Sequence, residues 1–107
     1  MEVFTLNCWI HGSDAGGIFQ VKISKTETVA ALKKAIRNET PATFREVDAH
    51  TLDLYKPRNP LGEPYKENLR QIILSEHGEL LKIGLHRLST VFPNAPPECD
   101  IHIIVGM

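Results

Sequence analysis

The sequence predicts a small α+β domain: a mixed sheet of about four to five strands, one main helix lying across it, and a short second helix in an insertion toward the middle of the chain. Three observations predict this. The chain opens with two stretches of apolar–polar alternation, the pattern of half-buried strands. A stripe with helical period follows at once, and a β-favouring apolar run closes the chain.

In residues 3–10, Phe4, Leu6, Cys8 and Ile10 fall on one face, and Val3, Thr5, Asn7 and Trp9 on the other. The run His11-Gly12-Ser13-Asp14-Ala15-Gly16-Gly17 is a turn by composition, long enough for a loose hairpin loop. Residues 18–24 alternate again, with Phe19, Val21 and Ile23 facing one way. The result is an antiparallel hairpin with one apolar face, and that face needs a cover.

The next segment supplies the cover. Thr28 is suited to cap a helix, since its hydroxyl can accept a bond from a free N–H of the first turn. Val29, Leu32 and Ile36 recur at spacings of three and four and share one stripe. Ala30, Ala31 and Ala35 favour helix, and Lys33, Lys34 and Arg37 face water on the side that suits the helix dipole. Pro41 biases Thr40 away from helical geometry and stops the helix by then.

Residues 42–51 are less regular, with Phe44 and Val47 assigned to the edge of the core. Leu52-Asp53-Leu54-Tyr55-Lys56 alternates as a short strand, which Pro57 and Pro60 end because proline cannot donate to a ladder. A polar loop follows over residues 57–68. Residues 67–74 read as a short helix with Leu69, Ile72 and Ile73 inward. In residues 79–92 the spacing is mixed: Leu81, Ile83 and Leu85 fit an alternating strand, and Leu88 to Phe92 a turn that carries Phe92 inward. Pro93, Pro96 and Pro97 mark an extended loop. Ile101-His102-Ile103-Ile104-Val105 reads as a buried closing strand. If it joins the sheet beside the first strand, in parallel, the helix supplies the crossover that such pairing requires. That is the β-grasp arrangement.

Composition narrows the function classes. The 107 residues, 42% of them apolar and 23% charged, fit one globular domain, 1–107, and hardly permit two. The net charge is −1, whereas a nucleic-acid module would show a basic stripe with stacking aromatics. The cluster Lys22, Lys25, Lys33, Lys34 and Arg37 is flanked by Glu27 and Glu39 and reads as a solvated helix face. No apolar run is long enough to span a bilayer, and the first ten residues lack the pattern of a signal peptide. Cys8 and Cys99 are expected to be free thiols, with Cys8 packing as a small hydrophobe. The histidines at positions 11, 50, 77, 86 and 102 have no metal-ligand spacing, and Gly16-Gly17 leads into a strand, not into the helix of a phosphate loop. No cofactor, metal or catalytic residue is assigned, so the domain is expected to bind and not to catalyse.

The first forty residues resemble ubiquitin, chiefly through Thr28-Val29-Ala30-Ala31-Leu32-Lys33-Lys34-Ala35-Ile36, with Leu52 to Lys56 and Ile101 to Val105 in the places of its third and last strands. A resemblance over the whole chain is to the N-terminal header of the Crinkler effectors of oomycetes and fungi. Four segments carry it in order: the helix, Leu52-Asp53-Leu54-Tyr55-Lys56, the Val91-Phe92-Pro93 run that follows Leu88-Ser89-Thr90, and Ile101-His102-Ile103-Ile104-Val105. The oomycete Leu-Phe-Leu-Ala-Lys motif is shortened here to the aromatic–lysine version at Leu54-Tyr55-Lys56. The resemblance implies a ubiquitin-like fold and a secreted header. That header would act in translocation into host cells, or as a protein-binding adaptor, for an effector module beyond residue 107. The host cell, and for the full-length protein the host nucleus, are the implied destinations. A different class of function, an intracellular ubiquitin-like scaffold or regulator, is the alternative. The chain ends Val105-Gly106-Met107 without a Gly-Gly tail, so conjugation is not expected.

The recognition residues are accordingly expected in Leu52, Asp53, Leu54, Tyr55 and Lys56, with Tyr55 and Lys56 as an exposed pair, against the plainer reading that Tyr55 covers the outer face of the sheet. Trp9 has two readings, an exposed anchor or a ring covered by the middle insertion. His102 either faces outward or caps a hydrogen-bond network. The partners are proteins, with no nucleic acid and no membrane span, and the domain is a monomer or a weak dimer through an edge strand.

Overall fold

β1 (Val3–Ile10) and β2 (Phe19–Ser24) form the antiparallel hairpin in the register Leu6↔Val21 and Cys8↔Phe19. The computed structural model describes residues 3–13, 15–40, 48–94 and 96–106. Phe44 and Val47 lie outside the described residues. The turn after β1 uses Gly12 at φ +92°, a conformation that costs glycine little because it has no Cβ.

α1 (Val29–Glu39) lies across one face of the hairpin, with Val29, Leu32 and Ile36 fully buried. Its first turn leaves N–H groups without partners inside the helix, and each finds one. The Thr28 hydroxyl accepts from the Ala31 N–H at 3.2 Å. The carbonyls of His86 and Gly84 accept from Val29 and Ala30 at 2.9 and 3.0 Å. At the other end the Thr40 N–H and hydroxyl both donate to the Ile36 carbonyl.

Three more strands complete the sheet: β3 (Asp53–Pro57), β4 (Gly78–Leu80) and β5 (Ile103–Gly106), in the order β2-β1-β5-β3-β4. β5 runs parallel to β1 and antiparallel to β3. It is central and buried on both faces. Toward α1, Leu6, Cys8, Val21, Leu52, Leu54, Ile103 and Val105 form the main core. On the opposite, outer face Trp9 and Ile104 form a second cluster with Leu61, Leu69 and Ile101.

The insertion between β3 and β4 builds that second cluster. α2 (Tyr65–Arg70) and α3 (Leu74–His77) stand where a single helix over residues 67–74 was expected. The break falls at Ile73, whose N–H is bonded to the His77 ring instead of continuing a helix. Leu69 is buried and Ile72 half-buried as expected, but Ile73 is 50% exposed. Gly78 opens β4 opposite Pro57, and a Cβ there would lie 3.0 Å from the Tyr55 Cβ, a tight approach that would require the neighbour to give way.

Three further expectations change. The strand at Leu81, Ile83 and Leu85 is absent: β4 ends at Leu80, and Ile83 and Leu85 are 53% and 84% exposed. Residues 82–86 turn away from the sheet, where the Gly84 and His86 carbonyls cap α1. β3 runs through Pro57, which pairs with Gly78 beyond the last residue that pairs with β5. The closing strand starts at Ile103; Ile101 and His102 are buried and tied to Leu61 and Asn7 by single backbone bonds of 2.7 and 2.8 Å. α4 (Leu88–Val91) delivers Phe92 into the core as expected, 7% exposed.

Candidate functional site

Alternation along Leu52-Asp53-Leu54-Tyr55-Lys56 divides the work of the segment. Leu52 and Leu54 are fully buried in the main core, and Asp53 is exposed. Tyr55 is half-buried and packs against the outer cluster, the position of the plainer, covering reading. Lys56 is half-buried. Its Nζ donates to the Val91 carbonyl at 2.7 Å and lies 5.2 Å from the centroid of the Phe92 ring, within cation–π range.

Phe92 joins the other segments. Its ring meets Phe4 edge-on at 6.1 Å and His102 at 6.4 Å. His102, 4% exposed, is in the hydrogen-bond network and does not face outward. Its Nδ1 accepts from the Asn7 N–H at 2.9 Å, and its Nε2 bonds the Pro97 carbonyl. A carbonyl can only accept, so the neutral ring carries its proton on Nε2. Burial pushes the His102 pKa below the ordinary histidine value, opposed by the Pro97 bond and the nearby Asp100 charge. The Asn7 side chain holds the same loop, donating to the carbonyls of Glu98 at 2.7 Å and Asp100 at 2.9 Å while Gln20 donates to it at 3.0 Å.

Beside this knot lies a groove of about 430 Å³ between residues 56–60 and 92–102, lined by Lys56, Pro57, Arg58, Phe92, Pro93 and His102 among others. Three of the segments singled out from the sequence, Leu52 to Lys56, Val91 to Pro93 and Ile101 to Val105, thus meet at one place. The groove offers proline and aromatic rings with the exposed Arg58 among its lining residues. Lys56 and both nitrogens of His102 are occupied with the fold.

Trp9 is 2% exposed under the insertion; of its two readings, the structure shows the covered ring. Cys8 and Cys99 are free, one buried and one exposed. Among the described residues no group of His, Cys, Asp and Glu could hold a metal ion, and no helix is long and apolar enough to cross a membrane. Sequence reasoning missed Asn7 and Arg58. A buried asparagine in a strand of β-formers was the available signal for Asn7, because that residue is otherwise depleted in strands. Nothing local marks Arg58.

The five-stranded order with α1 across one face defines a ubiquitin-like β-grasp domain. Residues 4–106 match the family model of the Crinkler effector protein N-terminal domain. Crinkler effector protein 1 of Rhizophagus irregularis is 41% identical over 101 residues, which cover 94% of this chain and 21% of that protein. The chain belongs to the Crinkler N-terminal domain family and spans about a fifth of the length of the curated relative it matches.

Proposed function

We propose that this domain is the non-catalytic header of a secreted Crinkler-type effector, and that it serves delivery into host cells by binding a protein partner through the groove between residues 56–60 and 92–102. The observation that supports this most directly is the meeting of three family-resembling segments at that groove. The outer face of the sheet is covered by the protein's own insertion, which leaves that face unavailable to a partner. The greater length of the relative is consistent with a header that acts for a downstream module.

The test is a fusion of residues 1–107 to a reporter, followed into host cells, with Arg58→Glu as the groove variant. Arg58 is exposed and lines the groove, so reversing its charge leaves the core untouched. Reduced uptake with an unchanged melting curve supports the reading. Unchanged uptake removes the groove from it. A fusion that never leaves the producing cell, and captures partners there, selects the intracellular scaffold instead.

A further inference from the structure

We infer that His102 is a proton-operated latch on the groove: neutral, its ring bridges Pro97 to the Asn7 N–H of β1, and protonated, it drops the Asn7 end of that bridge and loosens that wall of the groove. The inference deepens the proposed binding role of the groove, but the latch itself can be tested with no partner present.

The geometry carries it. The Asn7 N–H points at Nδ1 of His102, a donor facing the one ring atom that must stay unprotonated. The other nitrogen already donates to the Pro97 carbonyl. A proton taken up at Nδ1 puts two donors face to face, and the Asn7 bond is lost. The loop keeps the bonds from the Asn7 side chain to Glu98 and Asp100, the Nε2 bond to Pro97 and the Ile101 N–H bond to the Leu61 carbonyl, but the bridge through the ring from Pro97 to the Asn7 N–H has gone. Pro96, Pro97, Asp100, Ile101 and His102 all line the groove, so its shape changes with that proton.

The surroundings set the pH range. Asp100, on the same loop, favours the charged ring. Asn7 and Gln20, from β1 and β2, present only uncharged polar atoms. From the α4 side the Phe92 ring stands against His102 with the Lys56 ammonium over that same ring. Burial outweighs Asp100 and holds the folded-state pKa of His102 below its unfolded value. The unfolded chain therefore binds this proton first. Stability is full above the unfolded histidine range, falls as pH drops below about 6.5, and levels off once the folded pKa is passed.

The test is residue-resolved NMR of residues 1–107 between about pH 7.5 and about pH 5, a range that brackets the ordinary histidine pKa and stays above most carboxylates. It follows the His102 ring carbon, the Asn7 and Asp100 amides, and their hydrogen exchange corrected for intrinsic rate. The expected result is one midpoint shared by all three, below the ordinary histidine value. Protection of the Asn7 amide is lost as the ring takes up its proton. His102→Asn keeps an acceptor for the Asn7 N–H and should abolish the shared midpoint. Wild-type Asn7 and Asp100 amides that ignore the ring titration, or a midpoint that persists in His102→Asn, overturn the inference. If the variant fails to fold, the wild-type comparison alone decides. Loss of the latch leaves the groove reading standing, and failure of the Arg58 test leaves the latch standing.

Discussion

Lys56 shows how one side chain can be read two ways from sequence and only one way from structure. As the last residue of an aromatic–lysine motif it suggests a ligand for something outside the molecule. In the fold its ammonium is bonded to the Val91 carbonyl and lies over Phe92, so it ties the end of β3 to the turn after α4. Removing it disturbs one wall of the groove as well as any partner, which is why Arg58 is the cleaner probe. The two cysteines differ for an equally local reason. Burial with no compensating cation pushes the Cys8 thiol up to about 12, and since the thiolate is the reactive form, Cys8 is inert while the protein is folded. Cys99 is exposed. One thiol per chain should therefore react with a maleimide under native conditions and two in denaturant, with the native adduct mapping to Cys99 by peptide mass spectrometry; native labelling of Cys8 would show that β1 opens.

Among the elements, α1 was the most legible. Its stripe, its capping threonine and its stop each depend on residues within a few positions, so local chemistry suffices to read them. Leu32 sits fully buried at the middle of that stripe. Leu32→Ala should cost about 2–5 kcal/mol, the range for buried leucines that leave a cavity, read from chemical denaturation; an unchanged curve would mean the helix face is not the one described. The segment after β4 shows the reverse case. Leu81, Ile83 and Leu85 alternate like a strand, yet only Leu81 packs against the core. The backbone of residues 84–86 is committed to the first turn of a helix more than fifty positions earlier in the chain, and local periodicity carries no record of that. The helix expected over residues 67–74 divides for a similar reason, because a side chain four residues ahead takes the Ile73 N–H.

At the scale of the whole molecule the distinctive feature is a sheet packed on both faces. α1 covers one, as in any β-grasp fold, and the insertion between β3 and β4 covers the other through Leu61 and Leu69 over Trp9 and Ile104. Trp9 is therefore part of the scaffold. Trp9→Ala should cost about 3–5 kcal/mol, the range for large aromatic truncations, and it should loosen the insertion before the hairpin; hydrogen exchange in α2 rising ahead of that in β1 is the measurement, and equal protection in both would mean the insertion is held by something else. The insertion occupies the outer face, and the groove of the proposed partner site lies between residues 56–60 and the run from Phe92 to His102.

The sequence by itself determined the class of fold, the positions of the hairpin, of α1 and of the buried closing segment, and the family, because each is written in nearest-neighbour periodicity or in short motifs in a given order. The tertiary structure alone decided that the Trp9 ring is covered, that Lys56 and His102 are bonded within the fold, and that Asn7 ties β1 to the loop before β5. Those facts depend on contacts between residues up to 95 positions apart, as from Asn7 to His102. Burial and hydrogen-bond partners at that separation are set by how the sheet closes, and no local pattern encodes them.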